Sequence, residues 1–485
     1  MLPAATPLPR RLAARTQATL PCCLGGAGVG STFLTRAPRW VAKFAACWPA
    51  LQKYEPALAD RARALSLPMV KEFIAEYELL RTLRGSVDSR LASIAAQTYY
   101  TLSGERLSGF HPKGLPPSKS LPEAMSILFP TKDNECKTPA PRSLSKVVCL
   151  DLWLQWRATC ADLDGLGLGD TTIESREAVR CVSASQPFSG SWQEALPLPG
   201  ARQSSQAWRI AMQRRLGLWL SDLDDLFSTA RDRGVPLQLA KGARRHQVDR
   251  LGDALSNVGD HNHRHHLVNS VWYEAKRAVA IHTVYLGDKR EGRAAQFAHF
   301  NADHVPDIIE LGAAVTGKHR LSETRVTTPH RGDVRRGVGS RHHGGSVADV
   351  GHVFAFGNTL EHQVVKVFGC KARGRPSDPP LDHATGRGCV HARRGQYTDA
   401  LVNKENAVVL LLHDIYGGIA PPTLKHLYQL ARGTRVRDGT VYTSWAAPSY
   451  LPHYGQKLLS AAVFADAAII RDGIHALSAN SAMAA

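Results

Sequence analysis

The stretch from His304 to Thr328, HVPDIIELGAAVTGKHRLSETRVTT, carries acids and an arginine at a spacing suited to phosphate or metal chemistry. Pro306 fits the first position of a strand, where its missing N–H is tolerated. Alternation along that strand turns Asp307, Ile309 and Leu311 to one face and Ile308 and Glu310 to the other. Gly312 to Gly317 form a connection, and a second strand turns Leu321, Glu323, Arg325 and Thr327 to one face. Glu323 and Arg325 are then neighbours, roughly 6–7 Å apart along the strand. Two buried carboxylates repel strongly, so if Asp307 and Glu323 face one cavity the pair implies an ion.

The Pro306-Asp307 pair, fifteen intervening residues and the triplet Glu323-Thr324-Arg325 resemble the PD-(D/E)xK nuclease superfamily. That resemblance implies a restriction-endonuclease-like core: an α/β fold with a mixed central sheet flanked by helices. It implies Asp307 and Glu323 as metal ligands, Arg325 as their basic partner, and hydrolysis of phosphodiester bonds. Mg²⁺ or Mn²⁺ suits the residue types, because a hard cation takes oxygen ligands and keeps several waters beside a phosphate. Such a metal stabilises phosphoryl charge and lowers the pKa of bound water. The superfamily's usual lysine is Arg325 here. An arginine holds phosphate well and carries protons poorly. The rival expectation is therefore a non-catalytic nucleic-acid-binding protein of a mobile element. The superfamily often places an acid on the helix before the motif, and Glu274 is the candidate. It shares a helical face with Val271, Ala278 and Ile281, or lies at the edge of that stripe and reaches solvent.

A basic loop follows directly. His330–Gly345, HRGDVRRGVGSRHHGG, holds Arg331, Arg335, Arg336 and Arg341 beside His342 and His343. Glycines let backbone approach a ligand and arginines neutralise phosphates, so these six side chains are the expected nucleic-acid contacts. The bland reading is a solvated loop. Ahead of the Glu274 helix, Asp260–His266 (DHNHRHH) offers His261, His263, His265 and His266 to zinc or phosphate, or leaves them solvated.

These groups need elements to hold them. Helical spacing or composition suggests helices over Val70–Leu83, Val87–Leu102, Leu144–Leu163, Ser204–Leu220 and Ser221–Arg233, making residues 55–241 mainly helical. That region shows no chemical signature, and a structural or partner-binding role is a third reading. Beyond it, Val268–Tyr285 reads as helix, Val305–Leu311 and Arg320–Thr328 as strands, and Thr359–Phe368 as helix. Ala407–His413 reads as a buried strand, and Pro422–Arg432 and Leu458–Arg471 as helices. This order indicates a mixed sheet flanked by helices. Only His111 precedes residue 246 among the 21 histidines, which sets the expected border near Gly242. The expected units are a basic, disordered arm (1–54), the helical region (55–241), the nuclease-like domain (242–472) and a tail (473–485).

Composition sets the partner class. With 485 residues, 44% hydrophobic and 21% charged, the chain can bury a real core. A net charge of +18 points to a polyanion, with nucleic acid first (DNA before RNA) and an acidic membrane surface second. Nine scattered cysteines with no C-x-x-C pair argue against a disulfide framework and for an intracellular, reducing setting, the nucleus before an organelle. The first 54 residues lack Asp and Glu, as in a transit peptide or a basic arm, but Pro3, Pro7 and Pro9 oppose a clean presequence helix. No run of 18 apolar residues is present, so no membrane-spanning helix is expected.

Overall fold

A computed structural model describes residues 6–20, 53–63, 188–194, 204–241, 244–258, 261–279, 281–285, 297–313, 318–328, 357–372, 374–379, 388–434 and 449–483. Scattered positions between residues 26 and 184 are also described. The arginine-rich loop with Arg331, Arg335, Arg336, Arg341, His342 and His343 lies outside the described residues, as does most of Val70–Leu163.

In chain order the helices are α1 (Leu8–Thr19), α2 (Pro56–Arg63), α3 (Ser205–Arg215), α4 (Asp224–Asp232), α5 (Asp253–Val258) and α6 (His261–Ala278). Further on come α7 (Gly357–Phe368), α8 (Thr398–Val402), α9 (Pro421–Thr434) and α10 (Tyr450–Met483). The hairpin β1 (Gln238–Lys241) and β2 (Arg244–Gln247) precedes a central sheet of β3 (Thr283–Tyr285), β4 (Ile308–Glu310), β5 (Arg320–Thr327) and β8 (Ala407–Asp414). A short ribbon pairs β6 (Gly369–Cys370) with β7 (Arg393–Arg394).

The central sheet has the order β8-β5-β4-β3. β3, β4 and β5 run antiparallel in turn, while β8 joins β5 in parallel after the crossover that contains α7. The fold is therefore mixed α/β, as expected. Every strand foreseen in this half is present. β8 is the apolar run AVVLLLHD, and its last five residues are buried, which fits a parallel strand covered on both faces.

Two cores cover the sheet. On one face Ile308 and Leu411 pack with Val268, Trp272 and Ala275 of α6, Leu427 and Leu430 of α9, and Leu458 and Ala462 of α10. On the other, Ile309, Leu321, Leu410 and Leu412 pack with Val367 of α7, Ala400 of α8, Tyr397 and Phe300. The alternation of Ile308 and Ile309 between these cores is the period-2 pattern of a strand.

Several boundaries depart from expectation. The helix expected over Val268–Tyr285 starts earlier and ends at Ala278, and Thr283–Tyr285 forms β3 instead. The β-branched and aromatic triplet Thr-Val-Tyr favours the strand once β4 offers it a partner. Ser204 caps α3 by accepting from the Ala207 N–H. The helix expected over Ser221–Arg233 begins instead as a 3₁₀ turn, Ser221–Leu223, before α4.

The expected arm and tail are partly helical. α1 forms over residues 8–19 because Pro9 lies in its first turn, where a missing N–H costs nothing. Its Gln17 is buried and donates to the Arg215 carbonyl at 2.8 Å. The tail expected from 473 is the last part of α10, which runs to Met483. The border expected at Gly242 falls between the paired strands β1 and β2, at a position outside the described residues. α10 crosses that border in space. Its first half serves the sheet core, while Val463, Phe464, Ile470 and Ile474 pack against Trp192, Ile210, Leu220 and Leu255. Among the described residues no helix is long and apolar enough to cross a membrane.

Candidate functional site

The motif residues meet where β4 begins beside the middle of β5. Ile308 pairs with Ser322, so Asp307 is placed next to Glu323 by the antiparallel register. The Asp307 N–H donates to the Ser322 carbonyl at 3.0 Å. Its Oδ2 accepts the Thr324 N–H at 2.7 Å. The carboxylate thus takes a ladder bond that a backbone carbonyl would ordinarily take. The same oxygen lies 3.0 Å from His265 Nε2, which reaches over from the second turn of α6. Asp307 is fully buried and the His265 side chain is one-quarter exposed.

Glu323 is held from the other layer. Its Oε1 lies 2.5 Å from the Arg325 guanidinium. Its Oε2 accepts from the Tyr397 hydroxyl at 2.6 Å and lies 3.4 Å from His304 Nε2. The His304 ring packs edge-on against Tyr397. Arg325 also donates to Gln396 Oε1 at 3.1 Å. Burial opposes ionisation of Glu323, but the His304 bond, the Arg325 charge and the Tyr397 hydroxyl outweigh it and hold its pKa at about 2. The carboxylate is therefore ionised at any physiological pH.

Sequence reasoning placed Asp307, Glu323 and Arg325 together, and the structure brings all three to one pair of strands. It engages the two acids from different layers. Asp307 is held by α6, over the Ile308 face, whereas Glu323 is held by Tyr397, which belongs to the core over Ile309 and Leu321. Glu274 lies elsewhere: it is exposed and pairs with Lys457 of α10 at 2.8 Å. The buried stripe of α6 runs through Arg264, Val268, Trp272 and Ala275, so Glu274 faces solvent and not the core.

His304, Tyr397 and Gln396 had no place among the expected site residues, and His265 was expected only as a zinc or phosphate contact, not as a partner of Asp307. His304 lies just before the Pro-Asp pair, and His265 lies in the histidine cluster, so both had a local signal. Tyr397 is 74 residues from Glu323 in sequence and had none. The histidines of that cluster diverge: His261 contacts the Asn257 carbonyl and Arg264, and His266 Nδ1 lies 2.7 Å from the Tyr285 hydroxyl. Among the described residues no group of three metal-ligating side chains surrounds one point.

Behind the site lies a second buried charge cluster. Lys276 of α6 donates to Glu310 of β4 and to Ser322 of β5, and both Lys276 and Glu310 are wholly buried. Arg320 adds a second cation on Glu310 at 3.1 Å. Burial pushes the Lys276 amine below its usual pKa, while Glu310 works in the opposite direction. Nearby, Trp272 donates its indole N–H to His413 Nε2 at 2.8 Å. Burial lowers the His413 pKa to about 3, so the imidazole is neutral and free to accept.

Compared with protein-family models, curated proteins and solved structures, the chain matches none.

Proposed function

We propose that this chain is a nucleic-acid-binding protein whose α/β portion is a divergent restriction-endonuclease-like domain. The observation that carries this reading is the position of the motif. Asp307 immediately precedes one strand and Glu323-Thr324-Arg325 lies on its antiparallel neighbour, within a mixed sheet covered by helices on both faces. The net charge of +18 supplies the attraction to phosphate.

The donors at the motif fit a phosphate better than a divalent cation. Glu323 spends one oxygen on Arg325 and the other on Tyr397, so the guanidinium already supplies the charge that Mg²⁺ or Mn²⁺ would bring. Asp307 is engaged from the opposite layer. Arg325 Nε is a buried donor with no acceptor among the described residues, and an unmade bond of that kind costs roughly 1–3 kcal/mol. A phosphate oxygen would satisfy it. His265 and His304, each one-quarter exposed, supply further donors at the rim.

One observation favours the second reading, metal-dependent hydrolysis. Asp307 bonds the backbone of Thr324, so both acids flank one peptide unit of β5. Hydrolysis would require Arg325 to leave Glu323. Incubation of plasmid, linear and single-stranded DNA with Mg²⁺ or Mn²⁺ separates the two readings. We expect salt-dependent binding with intact DNA. Cleavage that disappears in the Asp307→Asn, Glu323→Gln double variant would establish hydrolysis in its place. Absence of binding to any nucleic acid would remove both.

A further inference from the structure

We infer that the β6–β7 ribbon is a phosphate-gripping arm that feeds a nucleic-acid strand toward Glu323 and Arg325. The inference rests on the nucleic-acid reading above and extends it to residues that the motif does not include. The ribbon and its continuations expose Lys371, Arg375, His391, Arg393 and Arg394. Neighbouring side chains on a strand point to opposite faces, yet both Arg393 and Arg394 are exposed, so solvent reaches both faces of the ribbon.

Most of this charge is uncommitted. Arg394 is tied to Asp303 at 3.0 Å. Among the described residues, Lys371, Arg375 and Arg393 have no ion pair. Unpaired cations close together on the surface are costly neighbours for one another and attractive to a polyanion. Glycines hold the arm in shape: a Cβ on Gly369, which has φ +77, would come 2.4 Å from the Arg393 carbonyl, and one on Gly374, which has φ +76, would come 2.5 Å from the Gly388 carbonyl.

The arm is wired to the site. Arg394 pairs with Asp303, the residue before His304. The Gln396 carbonyl accepts from Asn301 at 3.0 Å, and its side chain accepts from Arg325. Tyr397, four residues after Arg393, bonds Glu323. A strand lying on the arm is thereby led to the Arg325 guanidinium. The partner is nucleic acid and not a membrane: among the described residues no exposed large hydrophobic side chain lies on the arm, and interfacial binding needs apolar anchors beside the cations.

The test uses the full chain and a Lys371→Ala, Arg375→Ala, Arg393→Ala variant, leaving the anchoring Arg394 in place. Anisotropy of fluorescein-labelled single-stranded and duplex DNA is measured over a salt series, with thermal melting of both proteins as a control for folding. The expected result is an unchanged melt, at least about a tenfold loss of affinity at low salt, and a log–log salt slope shallower by about 2–3. Equal affinity and slope in the two proteins overturns the arm while leaving the nucleic-acid reading standing. No DNA binding by the wild-type chain overturns both. Ribbon-dependent binding to vesicles of phosphatidylcholine and phosphatidylserine without ribbon-dependent binding to DNA also overturns the proposal.

Discussion

Glu323 shows how one residue is kept charged inside a protein. Its carboxylate is 1% exposed, yet His304, Arg325 and Tyr397 together hold it ionised down to about pH 2. Because its folded pKa lies below its ordinary 4.5, its stabilisation is fully present above pH 4.5 and is lost as the pH falls toward 2. Glu323→Gln should therefore lower stability by about 3 kcal/mol at neutral pH. The deficit should narrow as both proteins are taken from pH 4.5 toward 2, as urea unfolding at each pH would show. A deficit independent of pH would mean that lost packing, and not lost charge, is responsible. At this scale the sequence was readable where chemistry is local. Spacing brings Asp307, just before β4, beside Glu323 and Arg325 of β5, but alternation expected Asp307 on the Ile309 face and it turns to His265 of α6 instead. The partners that decide what Glu323 can do come from farther along the chain, and no period or spacing points to Tyr397.

Between elements, the pair Lys276–Glu310 joins α6 to β4, with Ser322 of β5 as a third member. Removing one partner strands the other in a dry interior, whereas replacing both with apolar groups does not. Lys276→Met should cost about 3–5 kcal/mol, and the Lys276→Met, Glu310→Leu double variant should recover most of that loss in chemical denaturation. No recovery would show that the remaining groups, Arg320 and Ser322, depend on Glu310 for more than charge balance. Strands β4, β5 and β8 were legible because apolar alternation or continuity marks them. The faces of α6 were not. A stripe through Val271, Glu274 and Ala278 and one through Val268, Trp272 and Ala275 are both plausible in sequence, and contact with α10 and the sheet selects the second.

Across the whole molecule, buried neutral histidines tie stability to pH. His413 and His426 both have pKa values lowered to about 3, in each case first by burial. Unfolding exposes them to an ordinary value of 6.5, so stability is full above that pH and falls as the pH drops from 6.5 toward 3. Each contributes a slope of about 1.4 kcal/mol per pH unit within that window. His413→Gln, which keeps an acceptor for Trp272, should remove about half of this acid sensitivity between pH 6 and 5 in urea titrations. An unchanged slope would assign the sensitivity to other groups.

α10 provides the other global link. Its two halves complete two cores, so truncation after Ala462 should expose Ile210, Leu220 and Leu255 and yield an aggregating protein by light scattering. The histidine border in the sequence did not predict this sharing, because composition records where residue types cluster and not which helix returns to cover them.

Whether the site grips phosphate without cutting is decided most directly by one reaction: labelled duplex DNA incubated with the full chain and Mn²⁺, read on a native and a denaturing gel in parallel. The expected result is a shifted band on the first and full-length DNA on the second. Shortened DNA on the second gel, abolished by Asp307→Asn with Glu323→Gln, would contradict it.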